Sequence, residues 1–101
     1  MDKSKIAKLE KAGMVVTDAA EWVGLSPEES AIVDMRINLA REVERLRHAS
    51  GMTQTDLARK LGTKQSGVAR MERRPASTTI DTLVMALLRL GATPRRIAAL
   101  L

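Results

Sequence analysis

T-Q-T-D-L-A-R-K-L-G-T-K-Q-S-G-V-A-R-M-E, residues 53–72, writes two short amphipathic helices with a tight turn between them. Thr53 stands where an N-cap hydroxyl is wanted, and Asp56 three residues on completes a capping-box spacing. Leu57, Ala58 and Leu61 share one face. Gly62 ends the first helix at a position that calls for a left-handed residue, which glycine adopts at no steric cost. Thr63 then reads as the cap of the second helix, with Val68 and Met71 as its buried stripe. The rest of that helix is polar: Lys64, Gln65, Ser66, Arg70 and Arg73. Helices joined this closely cross steeply, and Ala58 supplies the small residue where they meet.

Two such helices form a helix-turn-helix, whose second helix enters the major groove of DNA. The stretch resembles the helix-turn-helix of the phage-repressor (Cro/C1, or XRE) family. Gln54 opens the motif, Ala58 takes its small position, Gly62 its turn, and Val68 and Met71 its buried positions. The resemblance implies an all-α, five-helix, lambda-repressor-like domain. The competing reading is an αα-hairpin packed on a partner helix, but packing helices seldom carry a face this basic and rich in amides. Two departures stand out. Arg73-Arg74-Pro75 follows Glu72, where the family usually has a glycine. Gly67 lies early in the second helix, at a cost of about 1 kcal/mol relative to alanine; it either admits a close approach to DNA or is simply tolerated.

The chain of 101 residues is one domain, or one domain with an appendage. Trp22 is its only aromatic residue, so the core must come from Leu, Ile, Val, Met and Ala, which suits packed helices. With no cysteine, neither disulfides nor thiolate metal sites are possible. No apolar run reaches membrane-spanning length and no signal-peptide pattern opens the chain, so a soluble cytoplasmic protein is expected. The net charge of +5 is unevenly placed. Residues 1–50 carry 8 basic and 9 acidic side chains; residues 51–101 carry 9 and 3. A basic half joined to a near-neutral one suits a polyanion-binding surface beside a packing region, although solubility alone is the plainer explanation.

Residues 1–25 read as a separate N-terminal arm, mobile or partner-binding, and residues 26–101 as the DNA-binding and dimerisation domain. The arm holds a short helix over residues 5–12, an extended run at Met14, Val15 and Val16, and a turn or two of helix ending at Trp22 and Val23. None of these buries a core alone. Trp22 is either an anchor within the domain or a partner-binding residue. Ser26-Pro27-Glu28-Glu29 starts a long helix to about Ser50, with Ile32, Met35, Leu39, Val43 and Leu46 as its stripe. Arg73 to Ser77 reads as a loop, and Thr78 or Thr79 caps a helix so apolar that it should be largely enclosed. Thr93-Pro94 opens a last helix ending on leucines that invite a second subunit. The dimer interface is accordingly placed at Leu87, Ile97, Leu100 and Leu101.

Nothing here points to catalysis, a cofactor or a metal. His48 is the only histidine, and Asp34, Glu42 and Glu44 read as surface carboxylates on the long helix. Phosphate contacts are expected from Gln54, Thr63 and Lys64, base contacts from Gln65, Ser66, Arg70 and Arg73, and a backbone contact from Arg74. The order of the segments, from K-L-E-K-A-G through W-V-G-L-S-P-E-E to A-L-L-R-L-G-A-T, also resembles small HigA-type antitoxins. That resemblance implies a homodimer that represses its own toxin–antitoxin operon through a palindromic operator and neutralises a small mRNA-interferase toxin. Met14, Val15, Val16 and Trp22 are then the candidate toxin contacts. A stand-alone XRE-type regulator and a protein-interaction module on the same fold are the alternatives.

Overall fold

The computed structural model describes residues 24–101, and every regular element among them is helical. In order these are Pro27–Ala49 (α1), Gln54–Leu61 (α2), Gln65–Arg73 (α3), a 3-10 turn Pro75–Ser77, Ile80–Arg89 (α4) and Pro94–Leu100 (α5). The five-helix, all-α expectation holds. The readings of the arm, including Met14, Val15, Val16 and Trp22, fall on residues 1–23 and lie outside the described residues.

The helix starts follow from their caps. At α1 the Glu29 N–H donates to Ser26 Oγ at 3.1 Å, and the Ser26 N–H donates to Glu29 Oε1 at 3.2 Å. Thr53 and Asp56 do the same for α2, at 3.0 and 2.9 Å. Thr79 caps α4 and Thr93 caps α5, each accepting from the N–H three residues on. Between α2 and α3, Gly62 adopts φ 72° and ψ 31°; its N–H donates to Arg59 O, and that of Thr63 donates to Ala58 O. This is a Schellman closure, and it turns the chain in one residue.

α1 is the brace on which the other elements pack. Leu39, Ala40 and Val43 of α1 meet Leu57 and Ala58 of α2, Val68 and Met71 of α3, Leu83, Ala86 and Leu87 of α4, and Ile97 of α5. A satellite contact seats Ala76 of the 3-10 turn on Val33 and Ile37. Arg36 Nη1 holds that turn by donating to Ala76 O at 2.9 Å.

The structure corrects several expectations. The cap of α3 is Lys64, not Thr63, and no side chain bonds its first turn. Part of the expected 73–77 loop is helix, with α3 running to Arg73 and the 3-10 turn following. α4 is not enclosed, because Met85 is 54% and Leu88 44% exposed. Ile32 on α1 is likewise exposed, since nothing described packs over that side. Leu87 and Ile97 were placed at a dimer interface, yet both are buried in the core of the single chain. Leu100 is half-buried against that core, and of the four only Leu101 is open.

Glu42 is not a surface carboxylate either. It is 5% exposed and accepts from Arg45 Nε at 2.7 Å, from Arg45 Nη2 at 2.8 Å and from Arg96 Nε at 3.2 Å. These bonds tie α1 to α5. The Arg45 hydrogen bonds, against the opposing effect of burial and with help from Arg96, lower the Glu42 pKa from 4.5 to about 2.

Two outcomes are expected. Leu87→Ala should cost about 2–5 kcal/mol in urea unfolding, whereas the neighbouring Leu88→Ala should stay within about 0.5 kcal/mol in the monomer. A depressed carboxylate pKa adds stability above the unfolded-state value that is lost as pH falls through the folded-state value. Between about pH 5 and about pH 2 the wild-type unfolding midpoint should therefore fall further than that of Glu42→Gln.

Candidate nucleic-acid interface

α3 is amphipathic in the sense its sequence requires. Val68 and Met71 point into the core, while Gln65, Ser66, Arg70 and Arg73 are exposed on the other side and Ala69 is half-buried between. Thr63, Lys64 and Arg74 are also exposed. Of the sequence-derived DNA-binding residues, only Gln54 is half-buried.

The start of α3 is open. No side-chain cap bond closes it, and Lys64, Gln65 and Ser66 are all exposed. Backbone donors, a helix dipole and a cation together favour an anion there. Thr63 is not the cap, and its side chain lies close to Gly67. A Cβ at Gly67 would come within 3.0 Å of Thr63 Oγ1, so a larger residue would push that side chain aside.

Glu72 is the only acid between residues 57 and 80, and it is turned inward. Arg47 of α1 grips it in a bidentate pair: Nε donates to Oε2 at 2.6 Å and Nη2 to Oε1 at 3.0 Å. Both side chains are nearly buried, at 9% and 8% exposure. The pair raises the Arg47 pKa, chiefly through the hydrogen bonds to Glu72, so the guanidinium stays charged throughout. Arg47 Nη1 also donates to Met52 O at 2.9 Å, fixing the link between α1 and α2. With its one carboxylate so occupied, the outer face of α3 carries uncancelled positive charge.

The pair continues outward. Gln54 Nε2 donates to Glu72 Oε1 at 3.0 Å, and Gln65 Nε2 donates to Gln54 Oε1 at 2.6 Å. A chain of polar bonds thus runs from the interior of α1 through α3 and α2 to the exposed first residue of α3. Sequence reasoning missed Arg47 and Glu72. A signal was present in each case, since Arg47 follows Ala40 and Val43 at seven and four residues, on the buried side of α1, and Glu72 is a lone acid in a basic helix. Arg70 and Arg73 need no such anchor to reach a polyanion, because both are exposed at the end of α3 away from Lys64.

Comparison with known proteins agrees with this geometry. A family model described as "Helix-turn-helix" matches residues 43–97, from the middle of α1 into α5. Antitoxin HipB of Escherichia coli (strain K12) is 39% identical over 44 residues, which is 44% of this chain and 50% of that protein. The chain therefore spans about half the length of the curated relative it matches. No solved structure matches. The family match covers more than half of the chain and includes both helices of the motif, α2 and α3: the protein belongs to the Cro/C1-type (XRE) helix-turn-helix family of DNA-binding regulators.

Proposed function

We propose that the protein is a sequence-specific transcriptional repressor that also serves as the antitoxin of a type II, HigBA-like toxin–antitoxin pair, repressing its own operon. The observation that carries the DNA-binding half is the open, cationic outer face of α3, with Glu72 withdrawn beneath it. The antitoxin half is supported by the similarity to a protein named antitoxin HipB and by the segment order that resembles HigA-type chains.

In this reading Lys64 and the free N–H groups at the start of α3 hold one phosphate and fix the register of the helix. Thr63 is near enough in sequence to assist, and Arg74 meets the backbone farther along. Gln65, Ser66, Arg70 and Arg73 face base edges in the major groove, where arginine suits guanine and glutamine suits adenine. Ala69 offers a methyl to thymine. Gln54 supports Gln65 and has one amide hydrogen left for a phosphate.

A homodimer would present two such helices about 34 Å apart and so read a palindromic operator. The apolar side chains open for that contact are Met85, Leu88 and Leu101, with the half-buried Leu100 beside them, rather than Leu87 and Ile97. Met14, Val15, Val16 and Trp22 of the N-terminal arm are the proposed toxin contacts, the toxin being a small mRNA interferase.

Arg70→Ala is expected to lower affinity for the operator by about 1–3 kcal/mol and to weaken binding to a scrambled duplex much less. Titrations on both duplexes check this, and equal losses would assign Arg70 to phosphate. Removing residues 1–25 should leave operator binding within a few-fold, because the phosphate and base contacts all lie elsewhere. The same truncation should abolish rescue of cells expressing the product of the adjacent reading frame. Rescue by the truncated chain would favour a regulator whose arm plays no part in neutralisation.

A further inference from the structure

We propose that the groove between α3 and the start of α4 is a binding site for a small zwitterion with an apolar body, an apolar α-amino acid, whose binding withdraws Arg70 from DNA. The effect on DNA rests on the reading of α3 as the base-contacting helix, whereas the binding site stands without it.

The groove has a volume of about 520 Å³, within the roughly 300–1,000 Å³ typical of small-molecule sites. Its apolar lining comes from Leu61 at the end of α2, Met71 of α3, and Met85 and Ala86 of α4. Met71 and Ala86 also belong to the buried core, so packed side chains back this part of the wall. Gly67 lines the groove without a side chain, which leaves room alongside α3. Such a lining suits an aliphatic or aromatic body, which gains by leaving water.

Two opposite charges line the same space, Arg70 of α3 and Asp81 in the first turn of α4. Both are exposed, and among the described residues neither takes part in an ion pair. A guanidinium only donates and an ionised carboxylate only accepts. A ligand that satisfies both therefore carries a carboxylate for Arg70 and an ammonium for Asp81. The hydroxyls nearby favour no neutral polyol instead. Ser77 Oγ already donates to Arg74 O at 2.8 Å, and the Thr79 and Thr82 hydroxyls are bonded to each other at 2.8 Å. The unmatched groups are the two charges, and an α-amino acid with an apolar side chain matches both them and the lining. The link to DNA follows from Arg70, whose fork cannot grip a ligand carboxylate and a guanine edge at once.

Calorimetric titration of the full-length protein with L-leucine, L-methionine and L-phenylalanine tests the site without DNA. At least one should bind with a dissociation constant on the order of 0.1–1 mM. Its analogues lacking the ammonium or the carboxylate, and glycine, which lacks the side chain, should bind at least about tenfold more weakly. Asp81→Asn and Arg70→Ala should each weaken binding by a similar factor. Both change exposed side chains, so the fold should persist. No saturable heat with any of the amino acids up to about 10 mM, or binding unchanged in both variants, overturns the site. Closure of the groove by a second copy through Met85 would give the first of these results. Operator titrations then test the link. Ligand at about ten times its dissociation constant should weaken wild-type operator binding by about tenfold if the two exclude each other, and should act much less on Asp81→Asn. Operator affinity that is unchanged at saturating ligand overturns the withdrawal of Arg70. If Arg70→Ala binds the operator as well as wild type does, the base-reading role of Arg70 fails, while the calorimetry still decides the site.

Discussion

The Arg47–Glu72 pair is the constraint on which the arrangement of α1, α2 and α3 depends. Burying two opposite charges costs several kcal/mol per ion in lost hydration, and only close, bidentate contact with further hydrogen bonds offsets that. Those further bonds are what connect the elements. Arg47 reaches Met52 O in the turn before α2, and Glu72 reaches Gln54 in its first turn. One interaction therefore joins the last turn of α1, the start of α2 and the end of α3. The apolar core fixes how closely these helices pack. The ion pair adds a directional restraint, since its bonds fail if α3 rotates or slides.

The same pattern shapes the surface charge. Glu42 is held by Arg45 and Arg96, Glu72 by Arg47 and Gln54, and Asp56 closes the cap of α2 by accepting from the Thr53 N–H. Asp56 and Glu72 are thus engaged in structure, while Asp81 is exposed and lines the same groove as Arg70. Lys64, Arg70, Arg73 and Arg74 remain exposed, and Glu72, the one acid of α3, is engaged with Arg47.

Local signals in the sequence were reliable where a local cause sufficed. The caps at Ser26, Thr53, Thr79 and Thr93 and the turn at Gly62 each need only residues within four positions, and all appear in the structure. Signals failed where the deciding partner was remote. Arg47 meets Glu72 from 25 residues away and Arg96 meets Glu42 from 54, so the neighbouring residues do not show which distant partner covers each acid. On α4 the apolar residues span so wide a face that periodicity alone cannot say which side faces inward. Leu83 and Leu87 turned out to be core, and Leu88, one residue on, is exposed. Thr63 has the residue type of a cap, but the Schellman closure at Gly62 uses its N–H and starts α3 one residue later.

An apolar pair in place of Arg47 and Glu72 would fill the same space, and replacing a buried ion pair in this way is often neutral or stabilising. Stability alone is thus a weak reason for the charges to be there. An apolar pair, however, has no polarity to pass on. Gln54 would then meet methyl groups, its two ends would become nearly equivalent, and Gln65 would lose the fixed partner that orients it. A surface amide has little packing to hold it, so its orientation has to be supplied from below by something that cannot reverse. A carboxylate locked by a guanidinium meets that requirement, whereas a neutral amide or hydroxyl, able both to donate and to accept, does not. The ion pair thus supplies a fixed direction of hydrogen bonding as well as strength.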